Sequence, residues 1–245
     1  MEKSAHKVLL FRGYKVLLGA AVAILLLAGV FALFRYYTST ITCPEGKHLS
    51  YVLPDGSKIE MNVDTRIKYH PLWWRFSRKL EFEGEAYFQV EKGKKFEAVS
   101  ALGTTEVMGT TFNIYSRENE YKVTCITGRV KVTSNNSKTA VLSPNINASI
   151  ITDGVIMVQR DPEAVESISW VKNMFNFAAK PLGEVFNEIA RQYGIKIIVN
   201  AGADNLYTGY FTKDKPIEEV LTQVCRPFGL TFTRSSDKEF KISQN

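Results

Sequence analysis

The chain holds little of the chemistry that enzymes use. Its 245 residues include three histidines and three cysteines. His6, His48 and His70 are far apart, and no His or Cys pair shows metal-ligand spacing. There is no G-x-S-x-G elbow and no glycine-rich phosphate loop. No catalytic residue, metal ligand or cofactor is therefore assigned, and the chain reads as a non-enzyme. Glu83 and Glu85 are the best carboxylate pair, since i, i+2 positions of a strand share one face. Glu81 continues that row, which favours a solvated strand face. Cysteine density is too low for a disulfide scaffold. Cys125 and Cys225 lie in apolar patterns and read as buried thiols; Cys43, beside Pro44, could stand free, and one bridge among the three stays open.

Acidic residues are scarce only at the start. The net charge is +6, yet residues 1–40 carry five Lys/Arg and one Glu, leaving 26 Lys/Arg against 24 Asp/Glu in the rest. No basic patch interleaved with aromatics stands out in that rest, so no nucleic-acid partner is expected.

What the chain does have is one long apolar run, VLLGAAVAILLLAGVFALF, from Val16 through Leu25 to Phe34. As a helix it is ~28 Å long, close to the ~30 Å hydrocarbon thickness of a bilayer. Lys3, Lys7, Arg12 and Lys15 precede it, and Arg35, Tyr36 and Tyr37 follow. The positive-inside bias places the N-terminus in the cytoplasm, and the tyrosines suit an interfacial belt. A signal peptide has a shorter apolar core and a small-x-small site, and a buried core helix has a polar stripe; an uncleaved anchor fits better than either. The expected organisation is a cytoplasmic tail (1–15), a transmembrane helix (16–35), a polar stalk (36–47), a β-rich domain (48–160) and a C-terminal domain (168–245).

In the β-rich part, Leu53-Pro54-Asp55-Gly56-Ser57 is a turn: Pro presets φ, Asp caps locally and Gly takes positive φ. Leu80, Phe82, Gly84, Ala86, Phe88 and Val90 alternate with polar positions, which predicts one long strand with a kink at Gly84. Short strands punctuated by glycine follow to Leu142, so an all-β roll, solenoid or sandwich is expected. After Asp161-Pro162 the pattern changes. Pro181–Ile195 and Pro216–Leu230 repeat each other at an offset of 35 residues. Leu182, Val185, Phe186, Ile189 and Tyr193 match Ile217, Val220, Leu221, Val224 and Phe228, one helical face in each copy. Pro opens and Gly closes each helix. Strand-like residues flank both helices, which predicts a small α+β domain of two βαβ-like repeats.

These pieces resemble the FecR family of cell-envelope sigma regulators in its Bacteroidetes form. The resemblance rests on Leu53-Pro54-Asp55-Gly56-Ser57 with Asn62, Arg78, Gly84-Glu85-Ala86-Tyr87-Phe88-Gln89-Val90, Phe96, Gly109-Thr110 with Phe112-Asn113, Gly128-Arg129-Val130, and Leu142 with Pro144. Trp170, Phe175, Phe177 and the repeat resemble the domain that follows in such proteins, itself similar to the short signalling domain of secretins and TonB-dependent transducers. The resemblance implies an inner-membrane protein with periplasmic domains. It implies two partners, the signalling domain of an outer-membrane TonB-dependent transporter and an extracytoplasmic-function sigma factor. The fifteen residues before the span leave no room for a folded sigma-binding domain. Trp73, Trp74, Tyr207, Tyr210 and Phe211 are the candidate partner-binding side chains. For the first two, packing as a lid over the β core is the favoured reading. The competing function is a membrane-anchored periplasmic module that binds glycan or envelope polymer through this aromatic cluster.

Overall fold

The structure, a computed structural model, describes residues 2–117, 119–150 and 154–244, with side chains from Leu17 onward. Helix α1 (Glu2–Tyr36) contains a segment, Leu17–Tyr36, long and apolar enough to cross a membrane. Leu25 and Phe34 are exposed along it, while the side chain of Val16 lies outside the described residues. The helix passes into the β domain with no slack. Tyr37 N donates to Leu33 O (2.9 Å), and strand β1 (Ser39–Cys43) begins two residues later. The middle of the polar stalk expected over 36–47 is thus a strand, Ser39–Cys43. Thr40 and Thr42 face water while Ile41 and Cys43 face inward, so a short Thr-rich strand has the composition of a linker.

The β domain continues through β2 (Leu49–Val52), β3 (Lys58–Met61), β4 (Thr65–Tyr69) and the long β5 (Arg78–Gln89). Then come β6 (Phe96–Val99), β7 (Gly103–Val107), β8 (Thr111–Arg117), β9 (Glu120–Thr127), β10 (Val130–Ser134), β11 (Thr139–Leu142), β12 (Ile146–Ile150) and β13 (Ile156–Arg160). Strand β5 belongs to two layers. Its first half pairs with β4 and, in parallel, with β6; its second half pairs with β3 and β8. The change of partners falls at Gly84, whose φ is 110° and where a Cβ would stand 2.6 Å from Thr65 Cα. Only glycine fits both demands. Between the layers, Phe88 stacks on Phe112 (5.0 Å, 7°) and meets Phe82 and Phe96 edge-on. Cys43, Cys125 and Cys225 are all buried free thiols.

A 3-10 segment, Ala164–Lys172, leads into the C-terminal domain. There the order is β14 (Met174–Pro181), α2 (Leu182–Tyr193), β15 (Lys196–Val199), β16 (Leu206–Thr212), α3 (Ile217–Cys225), β17 (Leu230–Ser236) and β18 (Glu239–Gln244). Pro181 and Pro216 stand at the two N-caps with φ of −54° and −57°, and Gly194 and Gly229 close the copies at φ of 62° and 63°. The matched apolar positions Leu182, Val185, Phe186 and Ile189, and Val220, Leu221 and Val224, are all fully buried. The strands, however, form two small sheets rather than one. The strands before the helices pair with each other, β14 with β16. The strands after them, β15 and β17, both flank β18. The final hairpin thus places β18 where a simple βαβ repeat would pair its own strands.

Candidate functional site

The motif residues of the β domain fall into two clusters. In the first, Ser57 Oγ donates to Asp55 Oδ2 (2.8 Å), and the Arg78 guanidinium meets the same carboxylate at 2.5 Å. Arg78 also donates to Lys94 O (2.7 Å) and Glu91 O (2.9 Å). Burial opposes ionisation of Asp55, but Ser57 and the Arg78 charge outweigh it and hold its pKa below the ordinary value. A buried cation with a carboxylate and carbonyls around it is a lock on the Leu53–Ser57 turn.

The second cluster lies where the C-terminal domain meets the β domain. The Glu85 carboxylate accepts hydrogen bonds from Asn62 Nδ2 (2.8 Å) and Asn113 Nδ2 (2.9 Å). Asn62 Oδ1 in turn accepts from Gln192 Nε2 (2.8 Å), a fully buried side chain on α2. Gln192 Nε2 also donates to Glu188 Oε1 (2.8 Å), and its Oε1 meets His48 Nε2 at 3.1 Å. The His48 ring lies edge-on to Trp170, 5.4 Å between centroids. Backbone closes the seam: Gly46 N donates to Arg191 O (3.0 Å), and Lys213 Nζ donates to Gly46 O (2.9 Å). Burial pushes the Glu85 carboxyl up to about 7, and the Glu188 charge adds to this; Asn113, Arg117 and Asn62 only partly offset it. Burial lowers the pKa of His48, against the opposing contact with Gln192. It also lowers that of Lys213, against the nearby Cys43 and Glu188.

Glu85 therefore departs from the solvated row expected of it. Glu81 and Glu83 do face water, opposite Lys68 and Arg66. The same face of β5 is covered two residues later, where α2 docks. Glu85 is a carboxyl held by two amides, an arrangement that couples two domains. Gln192 was legible as an anomaly: it sits three residues after Ile189, on the apolar side of its helix.

The five aromatic candidates are not brought together. Trp74 is buried against Tyr69 (5.3 Å) and Phe96 (5.9 Å), as a lid over the β core. Tyr207 and Phe211 are buried in the second core, where Phe211 meets Phe175 at 4.9 Å. These three are closed to a partner, because exposing them would open the cores they complete. Tyr210 is 66% exposed, on the outward face of β16. Trp73 points away from the core and meets Phe31 of α1 at 5.9 Å. On α3, the positions equivalent to the docked face of α2 are open. Glu218, Glu219, Thr222, Gln223, Arg226 and Pro227 line a groove of about 480 Å³. Among the described residues no group of three or more His, Cys, Asp or Glu side chains is placed to hold a metal ion.

The chain is thus an apolar helix, a two-layered β domain and a small α+β domain locked to it through a polar seam. Residues 39–131 match the FecR protein family and residues 174–242 match the family of FecR C-terminal domains, and the chain belongs to the FecR family. Two crystal structures of a candidate anti-sigma factor from Parabacteroides distasonis ATCC 8503 share the fold. One, at 2.50 Å resolution, is 24% identical with a TM-score of 0.77, covering 85% of this chain and 100% of that one. The other, at 1.65 Å, is also 24% identical with a TM-score of 0.76, covering 84% and 99%. No curated protein matches significantly.

Proposed function

We propose that this chain is a membrane-anchored, anti-sigma-type signalling regulator that works by binding and not by chemistry. Leu17–Tyr36 spans the inner membrane with the N-terminus in the cytoplasm, and both folded domains stand in the periplasm. The C-terminal domain receives the signalling domain of an outer-membrane TonB-dependent transporter, and the signal passes inward to an extracytoplasmic-function sigma factor. The observation that carries this reading is the succession of an apolar helix, a FecR domain and a FecR C-terminal domain in one chain. The unpaired edges of its small sheets, β15 and β17 in one and β14 and β16 in the other, support it. Such edges can accept a partner strand. Exposed Tyr210 and the open groove on α3 lie in the same domain. The test is capture of a purified transporter signalling domain by the full chain in detergent, beside a glycan panel. Capture of the signalling domain, weakened by Tyr210→Ala with the thermal midpoint unchanged, is the expected result. Capture of glycan alone would overturn the proposal.

A further inference from the structure

The loop between β4 and β5 is built onto the apolar helix. Register sets this up: Ser39 of β1 pairs with Tyr69 of β4, so the residues after Tyr69 emerge beside the end of α1. His70 Nδ1 lies 3.2 Å from Tyr37 O. The 3-10 turn Pro71–Trp73 then turns two tryptophans in opposite directions, Trp74 into the core and Trp73 onto the helix. The Trp73 ring meets Phe31 at 88°, carries the Arg35 guanidinium 5.2 Å above it, and packs on Phe76 at 4.6 Å. Leu72 (41%) and Phe76 (64%) are exposed beside it. Arg75, also exposed, completes the surface.

Depth follows from helix geometry. Phe31 precedes Tyr36 by five residues, about 7 Å along the axis at ~1.5 Å per residue. A side chain that touches Phe31 shares its depth. If α1 crosses a bilayer, Trp73 is carried below the level of Tyr36, and Leu72 and Phe76 come with it. We infer that residues 70–77 are a foot that seats the β domain in the lipid interface, with Leu72, Trp73 and Phe76 among the upper acyl chains and Arg35 and Arg75 at the headgroups. The occupant is the bilayer because the patch is continuous with the face of the span itself. An indole prefers that depth, arginines extend from it to the headgroups, and the exposed apolar cluster gains a cover. With β1 starting two residues after Tyr37, the foot gives the domain a second point of attachment and a defined tilt.

The inference rests on reading α1 as a membrane span. The full chain is reconstituted into phosphatidylcholine–phosphatidylglycerol vesicles whose lipids carry a nitroxide quencher high on the acyl chain. Of its three tryptophans, Trp74 and Trp170 are buried, so quenching reports Trp73. Strong quenching is expected, with nearly all of it lost in Trp73→Phe and much of it lost in the double variant Leu72→Glu, Phe76→Glu. Both changes in the double variant lie on exposed residues outside the two cores, and an unchanged thermal midpoint checks that the fold is kept. Alkaline extraction of the same vesicles reads the span separately. A chain that stays in the membrane with Trp73 unquenched overturns the foot and leaves the anchor standing. A chain that is washed out overturns both.

Discussion

Helices α2 and α3 are copies of one pattern, yet one is a hinge plate and the other a free face. Both begin at proline, each copy closes at an αL glycine, and the buried Val185, Phe186 and Ile189 of one match the buried Val220, Leu221 and Val224 of the other. They differ in what they turn toward the rest of the protein. Glu188, Arg191 and Gln192 of α2 correspond, 35 residues on, to Gln223, Arg226 and Pro227. The first three close the seam with the β domain; the second three line an open groove. Pro227 also ends α3 at Cys225 and turns the last residues into a 3-10 segment, because proline lacks the N–H a helix interior needs. A repeat shares its core and diverges on its surface, so the divergent surface positions are where function is divided. On the reading proposed above, α2 keeps the regulator assembled and α3 is left for a partner.

The shared part of the comparison carries the largest effects. Phe186 and its counterpart Leu221 are both fully buried. Phe186→Ala and Leu221→Ala should each lower stability by about 3–4 kcal/mol, measured by denaturant unfolding. A small loss at either site would break the equivalence of the two copies.

The seam should separate them. Gln192→Leu leaves His48 without its amide partner and removes one of the donors to Asn62 Oδ1, at a cost of about 1–3 kcal/mol. Pro227→Ala, at the exposed equivalent position, should change stability by no more than about 0.4–1 kcal/mol, through the freedom of the backbone and not through any contact with the β domain. Faster proteolysis near Asp161–Lys172 in the first variant, and not in the second, would show that the domains have come apart.

Acidity sharpens the same contrast, because among the described residues the raised carboxyl, Glu85, lies on the α2 side. The folded-state pKa of Glu85 is about 7 against an ordinary 4.5. Stability from this group is therefore fully present below about 4.5 and is lost as pH rises through about 7. His48, with its pKa lowered from 6.5, works in the opposite direction and withdraws stability as pH falls below 6.5. Between pH 6.5 and 7.5, where Glu85 dominates, unfolding should show a fall in stability with rising pH. Glu85→Gln should flatten that slope, and an unchanged slope would place the titration elsewhere.

Much of this plan is legible in the sequence. The apolar helix, the Leu53–Ser57 turn, the alternation of β5 with its glycine and both proline–glycine bracketed helices follow from local patterns, which act over a few residues. Long-range pairing is what local pattern misses. The parallel pairings β5–β6 and β15–β18 leave no mark in either strand alone. Strand β1 looked like a stalk because its outward positions are threonines and its partner lies over twenty residues away. The site was half legible. Asn62, Glu85 and Asn113 stood in the family resemblance, but their convergence depends on the fold of the sheet and on a second domain. Trp73 and Trp74 are adjacent in sequence and go to opposite environments, which composition cannot distinguish.

The smallest effect tests whether the seam behaves as an interior. Glu188–Arg191 is an i, i+3 pair at 2.9 Å with both side chains under 20% exposed, while Lys215–Glu219 joins the residue before the Pro216 cap to the first turn of α3, with exposures of 41% and 54%. On an open helix surface such a pair contributes about 0.3–0.5 kcal/mol and is screened within a Debye length of ~3 Å at 1 M salt. A pair covered by a second domain is screened less, and breaking it strands a charge with reduced access to water. Double-mutant cycles on each pair, run at 0.1 M and 1 M salt, should therefore diverge. The coupling of Lys215 with Glu219 should vanish at high salt, and that of Glu188 with Arg191 should persist. If both vanish together, water reaches the seam as freely as it reaches α3, and the raised pKa of Glu85 needs another cause than burial beneath α2.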